Sequence, residues 1–491
     1  MNKFRFTPVI ILFVLLGLFN ACQEEVDFEP SLLTEEVLFL SGERVRLLGR
    51  VITNQNIEAS DHGFQVSESE QFSQPIVISL GERTGPGRFI GETGGLKAGT
   101  RYYARTYLKT GSGEIFGNAI TLESLVPAAL VMAPNNGKSG IEVSISGRNF
   151  TSDTEVFFGP NRGQVLGIDF ESNIRVIVPA PTVSPVVQVR VVSQGREMVL
   201  PQPFEYTTGK FSTIGVFPEG LRLFENVALQ EGRDFYVGLG NLTQGSAQNL
   251  NNRFWKYDFG SGTWNEVSFP GGNHLRAFST GKYFGGGSLS FSINPGSATL
   301  DFWKLENGAF VKLRDLPRPA YWAAAFETAD AVFVLGGGFG AEKEVLKYSK
   351  STDTWTRIND APISINLNVM NFHYQGKQYF IDQVSKGLYE FNPANESWNV
   401  VSVYPGVLTN IRGFGLTIGD LAYVGMENRS EQVWELDLRT MNWVAKNDFP
   451  GLAQGQNVGA FQDSGNIYIL RNGEIQVSGP MQFWVFDPRG F

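Results

Sequence analysis

The sequence predicts an all-β protein, and a repeat in its C-terminal half is the main reason. Glycine is abundant, at 56 of 491 residues, and only 18% of residues are charged, which favours strands and turns over helices. An aromatic residue on a strand-like segment recurs every 43 to 46 residues, at Trp264, Phe310, Trp355, Trp398 and Trp443. Repeats of this length and type are typical of propeller blades. We therefore predict two β-sandwiches, over residues 36–125 and 126–208, and a six-bladed β-propeller over residues 209–491.

Charge and cysteine content exclude several kinds of function. The net charge of −9 is spread along the chain without a basic block, so we predict no nucleic-acid partner. A single cysteine excludes an internal disulfide and a cysteine-based zinc site. His62, His274 and His373 do not share a metal-ligand spacing, so we predict no metal and no cofactor. Because His62 follows Asp61 with no framed nucleophile nearby, we interpret it as a turn residue and not as part of a catalytic dyad.

The N-terminus has the charge order of a secretory signal peptide. Lys3 and Arg5 precede an apolar run, residues 9–19, which is shorter than the roughly 20 residues that a membrane span needs. Asn20-Ala21-Cys22 follows this run. We interpret residues 1–21 as a signal peptide and residues 22–35, which are acidic and contain proline, as a tether.

The residues around Cys22 resemble a bacterial lipobox. A small residue stands directly before the cysteine, although Phe19 occupies the place where the motif usually has leucine. The acidic residues after Cys22 resemble the surface-export signal of Bacteroidetes lipoproteins. The resemblance implies lipidation of Cys22, attachment to the outer membrane by this anchor, and display toward the cell exterior. The alternative is a cleaved, secreted protein with an incidental cysteine.

Two segments before the propeller have the short, alternating strands of β-sandwiches. Gly99-Thr100-Arg101-Tyr102-Tyr103-Ala104-Arg105 resembles a late strand of the fibronectin type III-like modules found in Bacteroidetes surface lipoproteins. Ile141 to Phe150, which alternates and ends in Gly-Arg-Asn-Phe, and Ile174 to Pro179 resemble the IPT (also called TIG) immunoglobulin-like domain. The second resemblance implies a spacer or, in some surface proteins, a glycan-binding module.

Within the propeller each blade starts after an apolar residue followed by proline, a step that occurs six times. Proline suits a position between blades because it cannot donate to a strand ladder. Blade three continues through Gly336-Gly337-Gly338 and Val345 to Trp355, which resembles the kelch motif. Asp382 and Arg471 stand where the motif has glycine in blades four and six. Blade six lacks an outer strand at its C-terminal end, so we predict that Lys210 to Val216 supplies it.

The candidate site lies at one mouth of the central channel, where the innermost strands begin. Aligning the six blades places one residue from each near this mouth, with Tyr321 and Glu225 beside them: Asn226, Arg276, Trp322, Asn368, Arg412 and Asn457. Guanidinium and amide groups donate hydrogen bonds to hydroxyl-rich or anionic ligands, and an aromatic face stacks on a sugar. The alternative is that these residues cap the channel and bind only water.

The sequence carries no framed catalytic motif, so we predict no catalytic residue. We expect a non-catalytic surface lipoprotein whose propeller binds a glycan, an outer-membrane transporter or another surface protein. One alternative is an enzyme acting on a sugar at the propeller mouth, such as a kelch-type mutarotase or epimerase, which needs only acid and base groups there. Another is a structural component of an assembly. The fold does not decide between them.

Overall fold

A computed structural model describes residues 28–218, 220–242, 249–291, 294–338, 340–366, 369–409, 412–473 and 479–491. The chain divides into two compact units, Met1–Glu205 and Tyr206–Phe491. The described residues form 43 strands and a single 3-10 turn, Pro295–Ser297, so the all-β prediction is confirmed. Among these residues, we find no helix with the length and apolar character that crossing a membrane requires. Cys22 and the predicted signal peptide lie outside the described residues.

The first unit contains two sandwiches built from antiparallel strands. In the first sandwich, a three-stranded sheet (β1-β2-β5) and a five-stranded sheet (β4-β3-β6-β7, with β8 beside β6) enclose a common core. The second has the sheets β14-β15-β11-β9, β13-β12-β17-β18 and β10-β19-β16. The strands are β1 (Ser31–Leu40), β2 (Val45–Ile52), β3 (Ala59–Ser67), β4 (Ile76–Ser79), β5 (Gly87–Thr93), β6 (Arg101–Thr110), β7 (Gly113–Phe116), β8 (Ile120–Glu123), β9 (Ala128–Ala133), β10 (Asn136–Gly137), β11 (Glu142–Arg148), β12 (Glu155–Phe158), β13 (Asn161–Arg162), β14 (Gln164–Asp169), β15 (Asn173–Ile177), β16 (Val186–Val187), β17 (Val189–Ser193), β18 (Arg196–Val199) and β19 (Phe204–Tyr206).

Two features of the first unit differ from the sequence predictions. Strand β1 begins at Ser31 and pairs with β2, so residues 31–35 of the predicted tether belong to a sheet. The interpretation of His62 as a turn residue is wrong, because His62 lies within β3 and is buried. Its ring bonds the Gly81 carbonyl, and Asp61 beside it accepts a hydrogen bond from Tyr107, so both residues hold the sandwich together.

The two sandwiches are joined by polar contacts between their loops. The Glu43 carboxylate accepts hydrogen bonds from the backbone and hydroxyl of Ser152, and Arg44 forms an ion pair with Glu171. Gln194 of the second sandwich accepts from the backbone of Ala98 in the first. Gly42 allows this approach, because a Cβ there would lie 2.6 Å from the Asn149 carbonyl oxygen. These contacts limit bending between the sandwiches.

The second unit is a propeller of six four-stranded antiparallel sheets, which we call blades 1 to 6. Innermost strands of adjacent blades contact one another, and the aromatic pair Phe326–Phe391 joins blades 3 and 4. The blades are β21 (Val227–Glu231), β22 (Asp234–Gly238), β23 (Arg253–Asp258) and β24 (Thr263–Ser268); β25 (Phe278–Ser279), β26 (Tyr283–Gly285), β27 (Phe302–Glu306) and β28 (Ala309–Lys312); β29 (Ala324–Glu327), β30 (Ala331–Leu335), β31 (Val345–Ser349) and β32 (Thr354–Ile358); β33 (Asn371–Tyr374), β34 (Lys377–Ile381), β35 (Gly387–Asn392) and β36 (Ser397–Val403); β37 (Phe414–Ile418), β38 (Leu421–Gly425), β39 (Val433–Asp437) and β40 (Asn442–Ala445); and β41 (Gly455–Asp463), β42 (Asn466–Gly473), β43 (Gln482–Asp487) and β20 (Lys210–Val216).

Blade 6 is assembled from both ends of this unit. Strand β20 pairs antiparallel with β43, with Lys210 opposite Asp487, so the predicted outer strand is confirmed. Phe211 of β20 packs on Phe486 and Phe449, which places this strand over the apolar core of the blade. The pairing leaves blade 6 with the same four-stranded ladder as the other five.

The apolar residue before each proline step is buried, which explains why this step marks the blades so regularly. These residues are Phe217, Phe269, Leu316, Ala361, Tyr404 and Phe449. The glycine that follows the second strand of blade 3 is also required for a steric reason. Gly336 has a φ of +74°, and a Cβ there would lie 1.9 Å from the Ile365 carbonyl oxygen. In blade 6 the corresponding region holds Arg471, whose guanidinium is buried and donates to the carbonyls of Met426 and Ala453.

Candidate functional site

A cavity of about 550 Å³ runs along the centre of the propeller. Residues from the innermost strands of all six blades line it. At one end it reaches Asn226, Arg412 and Asn457, where the innermost strands begin, and we call this end the mouth. Because every blade contributes its innermost strand to this cavity, residues that are far apart in the sequence lie close together around it.

The mouth has a repeated backbone conformation that favours glycine, although the residues there have large side chains. Glu225, Arg276, Trp322 and Arg412 all have positive φ, at 49°, 62°, 53° and 22°. The Arg276 N–H donates to the Glu225 carbonyl, and the Trp322 N–H donates to the Arg276 carbonyl. Each of the four stands two residues before an innermost strand. Strained backbone of this kind persists where the surroundings fix it and is frequent at functional sites.

This pattern shifts the predicted alignment by one residue in blade 1. Glu225, and not Asn226, is the counterpart of Arg276, Trp322 and Arg412, because the backbone hydrogen bonds link Glu225 to the series. Counting back from the turn that follows each innermost strand misses this, because that turn varies in length: it has two residues between Glu231 and Asp234 in blade 1 and four between Ser279 and Phe284 in blade 2.

Arg276 and Glu225 form an ion pair at the mouth, with 2.8 Å between Nε and Oε2. The Arg276 guanidinium lies between the rings of Phe291 and Trp322, 4.8 and 4.9 Å from their centroids, and donates to the Phe291 carbonyl. Its side chain is 6% exposed, whereas the Glu225 side chain is 29% exposed. Arg276 therefore fixes the Glu225 carboxylate and the Trp322 ring, and these two groups reach solvent more readily than Arg276 does.

Arg412 is the cationic group that lines the cavity itself. Its guanidinium donates to Asn226 Oδ1 at 3.3 Å, and its carbonyl accepts from Asn457 Nδ2 at 3.3 Å. Its enclosed position lowers the pKa of Arg412 to about 10, and the charge of Glu225 acts in the opposite direction. Arg412 is therefore protonated at neutral pH and supplies a positive charge within the channel.

The remaining predicted residues have different positions. Asn226 and Asn457 line the cavity, and Asn457 accepts from Arg471 while donating to the Met426 carbonyl. Tyr321 is buried away from the cavity, and its hydroxyl donates to the Asn294 carbonyl. Asn368 lies outside the described residues. The structure thus brings Asn226, Arg412 and Asn457 together at the cavity, with Arg276 and Trp322 beside them.

Sequence reasoning missed the polar groups deeper in the channel. Asn371 and Gln378 of blade 4 line the cavity, and Gln230, Glu327 and His373 line its other end. Glu327 is paired there with Lys350 at 3.0 Å. Continuing the predicted alignment three residues further along each innermost strand, from Asn368 to Asn371 in blade 4, would have placed Asn371 in the channel.

His274 does not face the mouth, although its loop enters blade 2. The ring is buried against Phe269 and Phe284, and its Nδ1 lies 2.9 Å from the Gly286 carbonyl oxygen. Burial lowers the pKa of His274, so the ring is neutral in the folded protein. Within the described residues, no cluster of three His, Cys, Asp or Glu side chains could hold a metal ion.

The comparisons with known proteins give distant likenesses. No family model matches the chain, and no curated protein matches it. A solved structure titled "Structure of YjhT" is 15% identical, with a TM-score of 0.43, and the match covers 56% of this chain and 97% of the other. A Bacteroides thetaiotaomicron protein of unknown function is also 15% identical, with a TM-score of 0.28 and coverage of 70% and 80%. At these TM-scores, the likenesses carry no argument about function.

Proposed function

We propose that this protein is a non-catalytic, lipid-anchored surface protein whose propeller binds a hydroxyl-rich ligand, a glycan, at the channel mouth. The observation that carries the proposal is the group at the mouth: Arg412 in the cavity wall, with the Glu225 carboxylate and the Trp322 ring held beside it by Arg276. A guanidinium and a carboxylate bind hydroxyl groups by charge-assisted hydrogen bonds, and an indole face covers the apolar face of a sugar.

The proposal includes the anchor and the spacers. Cys22 would carry the lipid and hold the protein on the outer membrane, facing the exterior, as the lipobox resemblance implies. The fibronectin type III-like and IPT-like sandwiches would act as spacers, which the polar contacts of Glu43 and Arg44 with the second sandwich favour. The kelch-like propeller would then be the ligand-binding part, or would join a nutrient-uptake complex with an outer-membrane transporter.

A glycan array tests the binding function directly. The purified full chain should bind a subset of glycans without altering them, and Arg412→Ala should remove that binding. A chain that binds no glycan but co-purifies with an outer-membrane transporter would replace this proposal with the assembly role. For the anchor, Cys22→Ser should abolish metabolic labelling with an alkyne-modified fatty acid, and labelling that persists would contradict lipidation at Cys22.

One observation favours a sugar-acting enzyme as the second candidate. The Glu225 carboxylate, 2.8 Å from the Arg276 guanidinium and partly exposed, is an acid-base group at a channel mouth. The test is turnover: release or interconversion of a bound sugar that is lost in both Arg276→Ala and Arg412→Ala would establish the enzyme. Because Arg276 is buried, its variant needs a thermal unfolding curve beside the assay, so that lost activity is not confused with lost folding.

A further inference from the structure

The turn between β14 and β15 of the second sandwich is built from residues that suit its backbone poorly. The Ser172 N–H donates to the Asp169 carbonyl at 3.0 Å, and the two residues between them, Phe170 and Glu171, have φ of 52° and 55°. A tight turn with positive φ at both central positions favours asparagine and glycine, because bulky side chains are strained in this conformation. Phenylalanine and glutamate therefore occupy this turn at a cost in backbone free energy.

Contacts around the turn fix Glu171 in this conformation. The Glu171 carboxylate pairs with Arg44 of the first sandwich, and the Glu171 carbonyl accepts from the Phe150 N–H at 3.0 Å. The Ser172 carbonyl accepts from the Gly147 N–H at 2.7 Å. These contacts explain the position of the turn and the choice of glutamate, and none of them involves the side chain of the preceding phenylalanine.

The Phe170 side chain projects into solvent. It is 96% exposed, the highest value of any large apolar side chain in the described ranges. A ring that is almost fully exposed contributes little hydrophobic stabilisation to the sandwich, so the strain of its backbone is not offset within the chain. Strained backbone is frequent at functional positions, and exposed aromatic rings are typical anchors of protein interfaces. Phe170 is therefore a candidate contact residue for a partner.

Phe170 stands at the rim of a groove where the two sandwiches meet. The groove has a volume of about 510 Å³, and Leu166, which is 42% exposed, gives it an apolar wall. Glu43 and Arg44 line it as well. The Glu43 carboxylate accepts hydrogen bonds from Ser152 but forms no ion pair with a described residue, and the Arg44 guanidinium is partly exposed. One patch thus combines a protruding ring, an apolar recess and both signs of charge.

We infer that this patch is the contact surface between two copies of the chain. Because the protruding ring and the recess lie side by side, a two-fold axis through the patch places each Phe170 in the groove of the other copy, against Leu166. The same axis brings the Glu43 carboxylate of one copy toward the Arg44 guanidinium of the other. A patch with a single sign of charge would repel itself, whereas this one is complementary to itself.

Attachment to one membrane would favour this pairing. The lipid anchor proposed at Cys22 would hold all copies in one plane and raise their effective concentration, so a contact of modest affinity in solution would be sufficient at the membrane. The contact would use only the two sandwiches and would leave the propeller mouth free to bind its ligand.

Photo-crosslinking of the full chain tests which partner covers the patch. The photoreactive residue p-benzoyl-L-phenylalanine replaces Phe170, and a mixture of isotopically light and heavy chains is irradiated. We expect a product of twice the chain mass in which position 170 of one isotopic form is bonded to the groove of the other, beside Leu166 or Arg44. The same photoreactive residue in place of Val131, which is exposed on β9 of the same sandwich, is the matched control and should give no such product.

Sedimentation equilibrium, combined with thermal unfolding, separates a contact role of Phe170 from a structural one. Asparagine tolerates positive φ, so Phe170→Asn should keep or raise the melting temperature while it weakens dimerisation at least about tenfold. Val131→Asn should leave dimerisation unchanged. A variant Phe170→Asn that loses stability together with dimerisation would assign the ring to the fold of the sandwich and overturn the inference.

Three further results would also overturn it. One is a natural chain that sediments as a monomer at every concentration and gives no crosslinked dimer. Another is Phe170→Asn that dimerises as tightly as the natural chain. The third comes from irradiating cells that produce the photoreactive chain: crosslinking of position 170 to a different protein alone would assign the patch to that partner instead of a second copy.

Discussion

The mouth of the channel and the layer three residues further along each innermost strand, which we call the waist, use equivalent positions of the six blades in opposite ways. At the mouth, corresponding residues are Glu225, Arg276, Trp322 and Arg412, which are large and have positive φ. At the waist, five of the six residues are small and lie on regular strands, and the sixth is an asparagine: Ala228, Ser279, Ala325, Gly415, Ala460 and Asn371. Six strands crowd the axis at the waist, so the repeat leaves little room there for variation. At the mouth the strands have only begun, and side chains can differ at the cost of backbone strain.

The largest expected effect is on the closure of the propeller ring at blade 6, on which both the mouth and the waist depend. Deleting Lys210–Val216 removes β20 from blade 6, exposes the edge of β43 and uncovers Phe486, so cooperative unfolding of the propeller should be lost. Calorimetry or circular dichroism during heating measures this. Val216→Thr, at a position of the same strand that is 54% exposed, is the control and should keep the transition. A deletion variant with an unchanged melting transition would show that the ring is stable without β20.

A smaller effect is expected in the layer that supports the waist. Trp255 is buried and lies opposite Val237, which in turn pairs with Ala228. Trp255→Ala should lower the free energy of unfolding by about 3–5 kcal/mol, because it leaves a cavity between blades. Val444→Ala, 55% exposed on an outer strand, should change it by less than about 0.5 kcal/mol. Denaturant unfolding curves of both variants test this, and equal shifts would contradict the layered packing.

At the mouth, a change should affect binding more than stability. Arg412→Met removes the positive charge from the cavity wall and leaves an unbranched apolar side chain in its place. Glycan affinity should therefore fall at least about tenfold. Arg439→Met is the matched control, because Arg439 is exposed and pairs with Asp437 within the same blade. Titration calorimetry gives the affinities. Equal affinities of the two variants would move the ligand site away from Arg412.

The smallest predicted effect is a pH dependence at the loop that enters blade 2. Burial lowers the pKa of His274 in the folded protein, so unfolding takes up a proton once the pH falls below the ordinary histidine pKa, about 6.5. The contribution of the neutral ring is complete above that pH and is lost as the pH decreases toward the folded-state pKa. Melting temperatures measured between pH 8 and pH 5 should fall less in His274→Gln than in the natural chain. Parallel curves would show that His274 does not titrate on unfolding.

The sequence was sufficient for the propeller because its signals are local and repeated. The apolar residue before each proline and the aromatic residue on each outer strand recur in every blade, and the steps at Phe217 and Phe449 mark the first and last of them. The assembly of blade 6 from both ends of the propeller also followed from counting the blades, since Lys210–Val216 had no other partner. The candidate site was harder to predict, because the turn after the innermost strand varies in length, and counting back from it placed Asn226 where Glu225 belongs.

The tertiary structure decided which residues contact one another. The sequence by itself determined the strands, the six blades and the polar character of the mouth, since each depends on residues within one repeat. It could not show that Arg276 is buried between two rings while Arg412 faces the cavity, because identical residue types at equivalent positions differ only in what neighbouring loops place against them. Nor could it show how the Gln378 amide is oriented, because that depends on the hydrogen bonds of Asn371 with Val369 and Gln378, which only the folded strands bring together.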